Sequence, residues 1–330
     1  MQHSSHRRTF IGHCAGLALG GAAPWALAAS GAYPDKTVRI IIPYPAGGAT
    51  DNLGRLAGQA LQQALGGTFI ADNKGGAGTT IGTRELARSA PDGYTLGMID
   101  STFTINPGLL GARLGYDTLK DFTPICQIAS AQFVLVTHPS VAVNDLAAFI
   151  AKAKAAPNTL AYGSAGVGSG PHLAGEQLAQ QAGLKVTHIP YRGGGTVISD
   201  LLGGQVQFAF ATVPTLAEHI KAGKLRALAV TGPKPSPLLP DVPTFAQAGL
   251  PGVDTQPLFG LIAPGQLPPA VLEQISKALV PSIRGGAMRD KLLALGFEPV
   301  GSTPQEFARR IQDEVAKWTE VIRKGKIQPE

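Results

Sequence analysis

Val38-Arg39-Ile40-Ile41-Ile42 runs into Pro43-Tyr44-Pro45-Ala46-Gly47-Gly48-Ala49-Thr50-Asp51, and this stretch decides the fold class. The first five residues read as a buried strand, because Val38 and Ile40 to Ile42 are β-branched and apolar and Pro43 bounds the run. The glycines then let the backbone turn sharply. Leu53, Leu56, Ala57, Ala60, Leu61, Ala64 and Leu65 recur at three- and four-residue spacing, so a helix follows, with Thr50 placed to cap it. The same unit recurs as Phe69 to Ala71 before Asn73 to Thr80, and as Tyr94 to Ile99 before Asp100-Ser101-Thr102. A further copy, Leu160 to Tyr162, the loop Ser164 to Gly170 and a helix from Pro171 to Ala182, lies about 120 positions beyond the first. Repeated strand, glycine loop and helix predict parallel α/β layers, with one such loop in each of two lobes.

Outward from these units, Asn144 is placed to cap a helix through Ala156, and Val186 to Ile189, Phe208 to Phe210 and Leu225 to Val230 read as strands. Phe133 to Thr137 and Phe259 to Ala263, both β-prone, are the segments expected to link the lobes. Two crossings make the first lobe discontinuous: residues 29–135 and 259–330 on one side, 136–258 on the other. The C-terminal part reads as helices, Ala270 to Val280 and Pro304 to Lys324, the second with Phe307, Ile311, Val315, Trp318 and Ile322 on one apolar face.

Composition narrows the function. The chain has 330 residues with 44% hydrophobic content, enough for a core in each lobe. Its first 28 residues carry a basic head at Arg7 and Arg8, an apolar stretch from Phe10 to Leu27 and a small-x-small site at Ala26-Leu27-Ala28. They read as a signal peptide removed on export to the periplasm, by the general or, from His6-Arg7-Arg8-Thr9-Phe10-Ile11, the twin-arginine route. His13, Pro24 and several glycines interrupt the stretch, so no stable membrane anchor is expected after cleavage. Cys14 lies in this leader, which leaves Cys126 without an intramolecular partner and reading as a buried thiol. Lys and Arg total 28 against 22 Asp and Glu, a net charge of +6, which suits an anionic ligand. The charges are dispersed and aromatics are only 6%, so neither a phosphate-tracking stripe nor a stacking platform for nucleic acid exists.

The chemistry rests in the loops. A glycine turn lets backbone approach a ligand, and the helix start behind it presents unpaired N–H groups that attract carboxylate or phosphate. The Pro43 to Asp51 loop has this form, although a purely structural turn reads the same way. Gly163-Ser164-Ala165-Gly166-Val167-Gly168-Ser169-Gly170-Pro171-His172 repeats it with two hydroxyls added. His172 either donates to a carboxylate or completes the helix cap. Ser101 and Thr102 follow a strand at the same sheet edge, and Tyr191-Arg192-Gly193 brings a cation, or a solvated loop charge, beside it. Enzyme signatures are missing: no Gly-x-Ser-x-Gly elbow, no phosphate-binding Gly-Lys-Ser/Thr loop, and no histidines at metal-ligand spacing. Neither a cofactor nor a metal is therefore expected, and the chain reads as a binder rather than an enzyme.

Tyr33-Pro34-Asp35-Lys36, the Pro43 to Asp51 loop, Ala90-Pro91-Asp92-Gly93-Tyr94-Thr95-Leu96, the Gly163 to His172 loop and Pro190-Tyr191-Arg192-Gly193-Gly194 carry a further signal. With Ala222 to Thr231 and Pro240-Asp241-Val242-Pro243-Thr244-Phe245, they resemble the substrate-binding receptors of tripartite tricarboxylate transporters, the Bug family. The resemblance covers essentially the whole mature chain. It implies a type II periplasmic binding protein fold of α/β class, two lobes with a two-crossing hinge, and carboxylates held by backbone amides, hydroxyls and bridging waters. The implied ligand shell is Tyr44, Gly47, Gly48, Thr50, Asp51, Ser101, Thr102, Ser164, Gly166, Gly168, Ser169 and Arg192, with Ala46, Gly78, Thr79, Ala165, His172 and Gly193 beside them. The implied partners are a di- or tricarboxylate or an aromatic acid, and the membrane permease that receives it; a sensor serving a two-component system is the alternative. Ala211, Leu258 and the threonines of Gly75-Gly76-Ala77-Gly78-Thr79-Thr80 depart from the family pattern, which leaves the identity of the acid open.

Overall fold

A computed structural model describes residues 33–191 and 194–329. The leader, its cleavage site, Arg192 and Gly193 lie outside the described residues. The chain opens with β1 (Val38–Ile42), α1 (Ala49–Leu65), β2 (Phe69–Asn73), α2 (Thr80–Ala87), β3 (Thr95–Asp100) and α3 (Thr102–Leu110), then β4 (Phe122–Ser130). Next come β5 (Phe133–Thr137), α4 (Leu146–Ala155), β6 (Ala161–Ser164), α5 (Gly170–Ala182), β7 (Thr187–Pro190) and α6 (Gly194–Leu202). β8 (Phe208–Thr212), α7 (Val213–Lys221) and β9 (Arg226–Val230) follow. The chain ends with β10 (Leu258–Pro264), α8 (Pro269–Gly285), α9 (Ala287–Ala294), β11 (Glu298–Pro299) and α10 (Pro304–Gly325).

These strands make two sheets, in the orders β11-β4-β10-β3-β1-β2 and β7-β6-β8-β5-β9. β2, β1 and β3 are parallel, as are β7, β6 and β8, while β10 runs antiparallel to β3 and β4. The isoleucine run explains why β1 is central. Ile40 and Ile42 pack with Leu53, Ala57 and Leu61 of α1, whereas Ile41 joins Leu86, Ile262 and Phe307 on the opposite face. With both faces covered, every side chain of the run is buried.

The expected linking segments are corrected. β5 pairs with β8 and β9 wholly inside the second sheet, and β10 pairs with β3 and β4 wholly inside the first. The chain changes sheets at Ala131-Gln132 and just before Leu258, where the Ala131 N–H donates to the Pro257 carbonyl at 3.1 Å. Phe133 to Thr137 is buried at every position, so its apolar run marks a sheet interior. Two helix starts also shift. Asp145, one residue after Asn144, caps α4 by accepting the Ala148 N–H at 2.8 Å. Gly48 precedes α1, and Thr50 stands within its first turn.

The long C-terminal helix follows its predicted face: Phe307, Ile311, Trp318 and Ile322 are buried and Val315 is partly so. Thr303 and Glu306 form a reciprocal capping box at its start. Trp318 and Ile322 pack with Ile105 of α3 and Leu173 of α5, so α10 touches elements carried by both sheets. Cys126 is fully buried, and burial pushes its thiol up to about 12, which makes it inert.

Candidate functional site: two glycine loops bordering one helix

The first loop is held from beneath by Asp100, the last residue of β3. Its carboxylate accepts from Thr50 Oγ1 at 3.1 Å and from the Thr102 N–H at 2.9 Å, and Tyr44 Oη lies 2.9 Å from Thr102 Oγ1. One carboxylate thus ties the starts of α1 and α3 together. Burial raises the Asp100 pKa, opposed by hydrogen bonds from Tyr44, Thr102 and Thr50, and burial also lifts Tyr44 well above its ordinary value.

Asp51 is committed to protein partners. Its carboxylate accepts the Gly47 N–H at 2.8 Å, Asn73 Nδ2 at 2.9 Å and Arg55 Nε at 3.1 Å. Burial opposes its ionisation, yet Arg55, the Gly47 N–H and Asn73 together hold its pKa below the usual range. Asp51 therefore fixes the loop's shape, with its charge already compensated. Ala46, Gly47 and Gly48 are exposed above it, and Gly48 has no side chain with which to cap α1.

The second loop is tied at both limbs. Ser164, 1% exposed, has its Oγ 2.7 Å from His188 Nε2 and accepts the Gly166 N–H at 3.2 Å. His172 Nδ1 accepts the Gly168 N–H at 3.0 Å, and Ser169 Oγ caps α5 by accepting the His172 N–H at 3.4 Å. His172 thus points an acceptor at the loop's own backbone. Ser164 and His188 stand as close as a nucleophile and its base, but burial lowers His188 to about 4 and the hydroxyl is enclosed, so the pair is poorly made for attack.

Both loops border α3. Tyr44 meets Thr102 at its start, and a Cβ placed on Gly168 would lie 2.3 Å from Leu109 Cδ2 and 3.9 Å from Ile105 Cγ2. Ser101 Oγ accepts the Leu258 N–H at the second crossing, so the same segment touches the hinge. Gly78 and Thr79 approach from the third loop, where Asn106 Nδ2 donates to the Gly78 carbonyl at 2.9 Å. A surface hollow of about 370 Å³ beside Asp145, Arg226 and Asp241 and one of about 170 Å³ beside Gln59, Gln62 and Phe69 are lined by none of these loops. Among the described residues, no cluster of His, Cys, Asp and Glu is arranged to hold a metal.

The sequence profile of TctC, the tripartite tricarboxylate transporter family receptor, matches residues 53–327. The chain belongs to this receptor family. BugT of Bordetella pertussis is 35% identical over 292 residues, covering 88% of this chain and 90% of that protein. The structure of the periplasmic binding protein BugD superposes with a TM-score of 0.78 at 30% identity, over 90% of this chain and 100% of the other. Rpa4515 of R. palustris, solved with adipate, gives a TM-score of 0.81 at 32% identity, over 90% and 100% of the two chains.

This TctC-family chain accordingly has the periplasmic binding protein fold, two lobes joined by two crossings. Two residues that support its loops, Asp100 and His188, escape sequence reading. Asp100 carried a signal, since it stands beside Ser101-Thr102 at a strand's carboxyl end. His188 sits in the middle of an unremarkable strand and carried none.

Proposed function

We propose that this receptor captures a small carboxylate-bearing metabolite between its two glycine loops and delivers it to a membrane permease. The observation that carries the reading is the shared border on α3. Loop one meets the helix at Thr102 and loop two at Ile105 and Leu109, a separation of three to seven residues, or roughly 5–10 Å of helix axis. Two loops meeting one helix so close together, each leading into a helix start of its own, suit a molecule with acid groups at both ends. Adipate, held by the relative Rpa4515, is such a molecule.

In this reading the backbone of Ala46, Gly47, Gly48, Ala165 and Gly166 meets the ligand, with Tyr44 and Thr102 at the floor. Asp51, Ser101, Ser164 and His172 hold the loops in shape. The lobes divide at Ala131-Gln132 and Pro257-Leu258, and capture proceeds without a chemical step. Residues 1–28 direct export and are then removed.

A thermal-shift screen of the purified chain against organic acids tests the proposal. A ligand that binds only the folded state stabilises it by about 2.7 kcal/mol at a hundredfold excess over its dissociation constant. A diacid that raises the melting temperature, with its monoamide inactive, supports the pincer. No shift from any di-, tri- or aromatic acid removes the receptor reading.

A further inference from the structure

His172 and His188 stack with ring centroids 3.9 Å apart and planes 9° from parallel. His188 also lies 4.9 Å from the Tyr162 ring, which stacks at 5.3 Å on Phe208, so the column is anchored in the second core. The column leaves little room to shift, since a Cβ on Gly175 would come within 2.4 Å of the Tyr162 ring. Each imidazole reaches a different limb of the second loop, His188 through Ser164 Oγ and His172 through the Gly168 N–H. Between those ties Gly166, at φ +121°, adopts backbone that other residues rarely tolerate.

We propose that the stacked His172–His188 pair acts as two positioning residues, pinning both limbs of the 163–170 loop and so setting the direction in which its N–H groups meet an anionic ligand. The ligand part rests on the receptor reading above; the brace rests on geometry alone. Accepting from Gly168 requires His172 Nδ1 to be unprotonated, which puts the imidazole proton on Nε2. Nε2 faces Glu176 Oε1 at 3.8 Å. Among the described residues, Glu176 from α5 and Tyr162 from β6, whose hydroxyl donates to Glu176 at 2.9 Å, are the titratable groups around the pair, with Gly325 of α10 approaching Glu176 from outside. Burial holds both imidazoles below their ordinary range, consistent with a neutral pair and with the acceptor role of His172 Nδ1.

Matched variants of the full chain test the brace. His172→Asn keeps an acceptor near Nδ1 and His188→Gln keeps an amide within reach of Ser164; His172→Leu and His188→Leu remove those groups. Amide exchange without ligand is expected to speed up over residues 165–168 in the leucine variants, with α5 still protected. Adipate affinity by calorimetry is expected to fall about tenfold in the leucine variants, one hydrogen bond's worth, and to be largely retained in the Asn and Gln variants. Leucine variants that exchange like the wild type overturn the brace, and so does equal loss in the Asn and Gln variants. Should the leucine variants unfold, the imidazole ¹⁵N spectrum of the wild type decides, a proton on His172 Nδ1 ruling the brace out. A wild type that ignores adipate and every other acid sinks the receptor reading, while the exchange comparison still judges the brace.

Discussion

Ser101 Oγ accepts the Leu258 N–H at 3.0 Å, joining the residue before α3 to the first residue of β10 across 157 positions of sequence. Both residues are buried, so the bond has no water to replace it. Ser101→Ala is expected to leave the Leu258 N–H unpaired and to lower stability by about 1–3 kcal/mol in urea denaturation. Because this bond sits at the second crossing, the same variant should also speed amide exchange at Gln256 and Leu258. Wild-type stability in Ser101→Ala would show that the crossing does not depend on it.

Asp51 gives the first loop a pH signature. Its folded pKa lies below the ordinary 3.8, so the group contributes stability that is complete above that value and is lost as pH falls through the lower folded one. Asp51→Asn should therefore lower stability at neutral pH and flatten the acid limb of the profile below about pH 4. An unchanged acid limb, measured by denaturation at pH 5 and pH 3, would contradict the bonds drawn to Gly47, Arg55 and Asn73.

The histidine pair acts in a different window and by a different route. Folded pKa values of about 3 for His172 and about 4 for His188 lie below the ordinary 6.5, so the unfolded chain takes up these protons first. Stability is then complete above about pH 6.5 and falls as pH drops toward 4, by at most about 1.4 kcal/mol per pH unit for each imidazole. The double variant His172→Asn with His188→Gln should flatten the profile between pH 6.5 and 5. A profile that stays steep there would assign the loss to other groups.

These contrasts explain what sequence could reveal. The β1 run and the α1 period are local, so Ile40 to Ile42 and Leu53 to Leu61 disclosed strand, loop and helix without any tertiary knowledge. Glycine runs marked both loops for the same reason. Which side chains hold those loops depends on pairings between distant positions: Thr50 with Asp100 across 50 residues and Ser164 with His188 across 24. The crossings are not legible in sequence, because a strand buried on both faces and a strand crossing between lobes share one apolar signature. Only the pairing of β5 with β8 and β9 separates the two.

Gly168 tests the approach of the second loop to α3 most directly. Its φ of +77° is strained for any residue with a side chain, and a Cβ there would lie 2.3 Å from Leu109 Cδ2. Gly168→Ala should cost about 1–2 kcal/mol from backbone alone and push the loop away from the helix. Leu109→Ala in the same chain relieves the clash but leaves the backbone strain. The double variant is therefore expected to recover ligand affinity more than melting temperature. Calorimetry and thermal melts of the two single variants and the double separate these terms. Additive losses in affinity would mean that Gly168 and Leu109 do not meet in the ligand-binding state.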